Sequence, residues 1–125
     1  MSTIQVNAIQ SSTGTQEVTQ TTIFSGTAKA WSQYDNTSTL AGAGDFNIST
    51  YTDLGVGFAR MTYSASMADT NGACGQSQTT SSLGNNLSYP ESSSAMRSNA
   101  YSNAGSSVDI AMGQISILGD LAWST

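Results

Sequence analysis

The chain has 125 residues, only 9% of them charged, and a net charge of -5; its three basic residues, Lys29, Arg60 and Arg97, are isolated, which excludes the clustered basic patch that nucleic acid or an anionic membrane surface requires. Histidine is absent and Cys74 is the single cysteine, so an intrachain disulfide, a Ser-His-Asp triad and a Cys–His nucleophile are all excluded. No apolar run approaches the ~20 residues of a membrane-spanning helix, and MSTIQVNAIQ has neither the basic region nor the apolar core of a secretory signal.

The missing charge is replaced by hydroxyls, with 22 serines and 16 threonines. Such a chain reads either as disordered or as β-rich with hydroxyl-decorated surfaces. Two Trp, five Tyr and three Phe, with spaced Ile, Val, Met and Leu, favour the β-rich reading. The length is that of one domain.

Residues 1–25 read as a leader. Ile4, Val6 and Ala8 alternate with polar residues, SSTGTQ is a turn, and Val18 and Ile23-Phe24 lead onward. So sparse a strand gains stability only by pairing with another chain. The domain proper spans 26–125. In SGTAKAW, Thr27, Lys29 and Trp31 point one way and Ala28 and Ala30 the other; YDNTST is a turn. DFNISTYTD is a second extended segment, with Phe46 and Ile48 alternating, and Leu54-Gly55-Val56-Gly57 breaks it. GFARMTYSASM is a third, with Ala59, Met61, Tyr63, Ala65 and Met67 on one face. Period-2 patterning between Gly, Asn and Asp clusters predicts antiparallel strands with one buried face.

Residues 75–107 read as a loop-rich middle with two short strands, near 86–89 and 95–102. Pro90, the only proline, rules out a central strand there. Val108, Ile110 and Met112 then alternate, and the phase slips after Gly113 to Ile115 and Ile117. That slip predicts a β-bulge in a central strand. No segment carries a helical apolar stripe. The fold class is therefore an all-β, small antiparallel β-sandwich with an extended leader.

One ordered series stands out: AKAW at 28–31, a polar turn at 34–39, FNIS at 46–49, TD at 52–53, Tyr63, then Met67, Asp69 and Asn71. It resembles the domain found at the C-terminal end of phage tail fibre proteins, over roughly 26–71. A weaker likeness is the closing strand Ile115–Leu118 followed by Gly119-Asp120. The chain departs from the family pattern at Ala68, where the family has proline, and at Gly72, where it has an aromatic residue. The resemblance implies a homotrimeric virion fibre, assembled in the host cytoplasm. It also implies attachment to a tail or baseplate protein through the leader (Ile4 and Val6) and contact with a bacterial surface glycan or protein. A small polar core argues for an oligomer on physical grounds, and Phe24, Trp31 and Trp123 are candidates for the subunit contact.

No catalytic constellation is legible and no cofactor is expected. The eight acids are scattered, mostly in turns where an Asp hydrogen-bonds its own backbone. YDNTST lacks the ligand series of a calcium loop, and Gly42-Ala43-Gly44 has no following lysine to make a phosphate loop. Cys74 reads as a small buried hydrophobe. Tyr89 with Asn85 and Asn86, and Tyr101 with Asn99 and Asn103, suit sugars, since an aromatic face stacks and amides read hydroxyls. The alternatives are a capsid decoration or tail adaptor protein without a receptor, and a polysaccharide-cleaving enzyme, which needs two acids in one cleft.

Overall fold

The computed structural model describes residues 8–14, 17–19, 26–78 and 83–122, with the backbone alone at 19 and 83–86. The described residues form ten strands: β1 (Ala8–Gln10), β2 (Glu17–Thr19), β3 (Ala28–Asp35), β4 (Ala41–Phe46), β5 (Ile48–Asp53), β6 (Phe58–Tyr63), β7 (Ala73–Gln78), β8 (Leu83–Ser92), β9 (Ala95–Ser102) and β10 (Gly113–Leu118). Strands β1 and β2 make a separate hairpin, in which Ile9 faces Val18 and both are exposed. Its turn is closed by Gly14 N–H donating to Ser11 O, with Gly14 at φ 67°.

The other eight strands make two four-stranded antiparallel sheets, ordered β4-β3-β10-β7 and β5-β6-β9-β8. These sheets pack against each other as a small β-sandwich. The buried residues show why. In β6, Ala59, Met61 and Tyr63 alternate inward; in β10, Ile115 and Ile117 do so; Ala30 and Tyr34 face them from β3, and Met96 and Ala100 from β9. Burying each large apolar side chain stabilises the fold by ~1.5–3 kcal/mol. Aromatic and Met side chains interdigitate with Ala, and flexible Met fills the irregular gaps.

Two polar links join the sheets. The Tyr34 hydroxyl donates to Ser98 Oγ at 2.6 Å, where Gln76 Nε2 also donates at 3.1 Å. At the β4–β5 side, the Tyr51 hydroxyl donates to Asp45 Oδ2 at 2.9 Å and lies 2.8 Å from Ser32 Oγ. Burial raises the Tyr34 hydroxyl above its ordinary value and pushes Tyr51 up to about 12, so both stay protonated.

One residue turns the chain from the first sheet to the second. Asn47 sits at φ 60°, in the left-handed region that Asn tolerates. Its Nδ2 donates to Lys29 O (3.0 Å) and Ala65 O (2.9 Å), and its Oδ1 accepts from Ala65 N–H (2.7 Å). At the opposite end, Gly57 at φ 77° bridges two segments. It accepts from Ala100 N–H through its carbonyl and donates its own N–H to Asp109 Oδ1. A Cβ there would lie 2.6 Å from Ala100 O.

Several sequence expectations need correction. The segment 45–53 is not one strand. Asn47 splits it, so Phe46 ends β4 of the first sheet with an open side chain, and Ile48 begins β5 of the second. The described residues of 75–92 are not loop-rich. Strands β7 and β8 fill most of the stretch, and β8 joins β9 by a tight turn at Ser93-Ser94. Their inward positions include Gln76, Gln78 and Ser88, which hydrogen-bond or pack across the sandwich, so no apolar alternation marks them. Gly113 is not a bulge but the first residue of β10, seated against the Tyr34 ring where a Cβ would collide. The register shift lies further on, between Ile117 and Leu118. Strand β10 is central, β9 spans 95–102, and Pro90 lies on the edge strand β8, all as the sequence indicates.

Candidate functional site

Each sheet turns one face to the core and one to solvent, and the two outer faces differ in chemistry. On the second sheet, antiparallel register sets Arg60 opposite Arg97, Tyr89 opposite Arg97, and Phe58 and Leu87 opposite Asn99. These groups engage one another. Arg60 holds Glu91 with two hydrogen bonds (Nε to Oε2 2.5 Å, Nη2 to Oε1 2.8 Å), and Arg97 Nη1 approaches the same carboxylate at 3.5 Å. The Arg60 hydrogen bonds, above all, hold the Glu91 carboxyl below its ordinary range. Arg97 Nε donates to Asn99 Oδ1 at 3.0 Å, and its guanidinium lies 5.5 Å from the Phe58 ring centroid. Phe58 in turn meets Tyr101 edge-on at 5.8 Å.

That face receives three of the six ligand-contact candidates from the sequence, Tyr89, Asn99 and Tyr101. Tyr89 and Tyr101 are half-buried on it, and Asn99 is only 7% exposed, its amide oxygen already bonded to Arg97. Asn99 therefore belongs to the framework of a strand, not to an open loop. Asn85 and Asn86 lie in β8, and their side chains are outside the described residues; Asn103 is exposed at the 102–106 turn, apart from the others. Phe24, Trp123, Ile4 and Val6 are outside the described residues.

The outer face of the first sheet is assembled differently. Register places Phe46, Trp31, Ser116 and Gly75 in one row across all four strands, and Gly44, Gln33, Gln114 and Ser77 in the next. At ~4.8 Å between strands, each row spans about 14 Å. Trp31 and Phe46 are 42% and 52% exposed. The Trp31 ring covers Gly44, where an added Cβ would meet Cζ3 at 3.6 Å. Trp31, the glutamines and the serines surround a groove of about 360 Å³, none of whose lining residues is charged. Ser77 Oγ donates to Gln114 Oε1 at 2.7 Å, which directs the Gln114 NH₂ group as a free donor; Gln33 makes no side-chain hydrogen bond among the described residues.

Phe46, Gln33, Gln114, Ser77 and Ser116 were not singled out by the sequence. Their i, i+2 spacing (31 and 33, 114 and 116, 75 and 77) is the available signal, but it does not tell which strands lie side by side. Of the carboxylates, Asp35, Asp53 and Asp69 accept from the backbone N–H two residues on, at 2.8 Å each, as turn acids do. Cys74 is half-buried on the inner side of β7, and burial pushes its thiol up to about 11, which favours the protonated form at neutral pH.

No protein-family model, curated protein or solved structure matches this chain.

Proposed function

We propose that this chain is a non-enzymatic module of a phage virion fibre, in which the rigid sandwich presents a receptor-binding face to a bacterial surface. The observation that carries this reading is the open Trp31–Phe46 pair beside a groove with no charged lining residue. Large aromatics left open to solvent do little for the monomer and suit recognition. The tail-fibre resemblance supports it, because its residues occupy the joints of the fold. Asn47 of FNIS turns the chain between sheets, Asp53 of TD caps the turn at Gly55, and Met67 bridges to Leu121.

In this reading the fibre is a homotrimer, and the leader attaches it to a tail or baseplate protein. The β1–β2 hairpin fits such a role. A lone two-stranded ribbon is marginal in water, and its opposed Ile9 and Val18 are open for a partner to cover. The test is the solution mass of the full chain by light scattering. Three chain masses are expected; a monomer contradicts the fibre reading and favours a decoration or adaptor protein.

A further inference from the structure

We infer that the two transverse rows on the outer face of the first sheet form a binding site for a neutral oligosaccharide. The inference rests on the host-surface reading above and names the ligand class and the residues. The aromatic half of the site is Trp31, with Phe46 beside it on β4. The Trp31 ring is supported from below by Gly44, so stacking a sugar on it costs little side-chain entropy. The polar half is Gln33, Gln114, Ser77 and Ser116. A carboxamide both donates and accepts, as sugar hydroxyls do, and the Ser77 hydrogen bond fixes which end of Gln114 is presented. Gly75 leaves that end of the row without a side chain, and the Ser116 hydroxyl leans over it, 3.2 Å from where a Cβ would lie.

Charge narrows the class. None of the groove's lining residues is charged, so nothing in it recognises a uronate, sialate or phosphate group. The chain's net charge of -5 works against an acidic polymer as well. The opposite face, which holds two of the three basic residues, commits them to Glu91 and Phe58. A second copy of the chain, the occupant expected for Trp31 from the sequence, is a poorer one here, and the trimer contact is assigned elsewhere. Interface centres are enriched in aromatics and depleted in serine, and six of the eight positions in these two rows are amide, hydroxyl or glycine.

The test uses the labelled full chain on a panel of bacterial cells, each assayed untreated, after periodate oxidation of surface sugars, and after protease treatment. Adhesion that periodate abolishes and protease spares is expected. Trp31→Ala should weaken it at least tenfold and Gln114→Ala about threefold, with Arg97→Ala on the opposite face within twofold of the parent. Near-ultraviolet circular dichroism confirms that each variant folds, and Gln114→Ala, a solvent-face change, keeps the test decisive if Trp31→Ala does not. Adhesion that survives periodate and falls with protease overturns the oligosaccharide while leaving the host-surface reading in place. Adhesion indifferent to both groove variants overturns the site. A lower solution mass for Trp31→Ala, by light scattering, assigns the face to a second copy instead. Failure to adhere to any cell removes the host-surface reading and this inference with it.

Discussion

The two outer faces of the sandwich are built on the same scaffold and have opposite chemistry. On the second sheet, Arg60, Glu91, Arg97, Asn99, Phe58 and Tyr101 form a chain of contacts in which each polar group meets another of the same face. On the first sheet, Trp31 and Phe46 stand open, and Gln33 and the Gln114 NH₂ group make no side-chain hydrogen bond among the described residues. Aromatic and amide residues occur on both. In the proposed reading, what separates a face that stabilises the fold from one that binds is whether its hydrogen-bonding capacity is already spent. The density of Tyr and Asn in residues 85–103 points toward the first kind, and only the cross-strand register exposes the second.

The largest perturbation is to the corner that sets the faces back to back. Asn47→Ala removes three hydrogen bonds and places alanine at positive φ; a loss of about 3 kcal/mol is expected in urea unfolding. Cutting the Tyr34–Ser98 link with Tyr34→Phe removes one hydrogen bond from the buried Ser98 Oγ, which keeps its Gln76 donor, and should cost about 1 kcal/mol by the same measurement. Both changes should lower stability without selecting either face.

Glu91→Gln probes the self-satisfied face, and here pH gives the sign. The Glu91 pKa is depressed in the folded state. Its stabilisation is therefore present above the ordinary glutamate pKa and is lost as pH falls through the lowered folded value. The parent should exceed Glu91→Gln in thermal midpoint at pH 7, by less than Tyr34→Phe costs because the pair is partly exposed, and the two should converge in acid. An unchanged gap at pH 3 would break the assignment. The smallest effect is expected on the open face: Gln33→Ala should leave stability within about 0.5 kcal/mol of the parent, since its side-chain amide makes no hydrogen bond among the described residues. A larger loss would show that this face also works for the fold.

Much of the sandwich is legible where apolar side chains alternate. Ala59, Met61 and Tyr63 mark β6, and Ile115 and Ile117 mark a central β10. Legibility fails where the core is polar. Gln76, Gln78 and Ser88 point inward and hide β7 and much of β8, while AGAGDF gives β4 no apolar residue larger than alanine before Phe46. It fails again at Asn47, because one left-handed residue reverses the meaning of the alternation around it, sending Phe46 outward and Ile48 toward the core. The open face was legible only as Trp31 pointing off a strand. Its partners come from β4, β7 and β10, up to 85 residues apart in the case of Trp31 and Ser116, which are direct register neighbours.

The most direct measurement is a titration of the ¹⁵N-labelled full chain with neutral oligosaccharides released from cells to which it adheres, followed through side-chain N–H signals. Shifts confined to the Trp31 indole and the Gln33 and Gln114 amides, with the Arg60 and Arg97 guanidinium signals unmoved, are expected. Shifts centred on Arg97 and Asn99, or none at saturating oligosaccharide, would contradict the division of labour between the two faces.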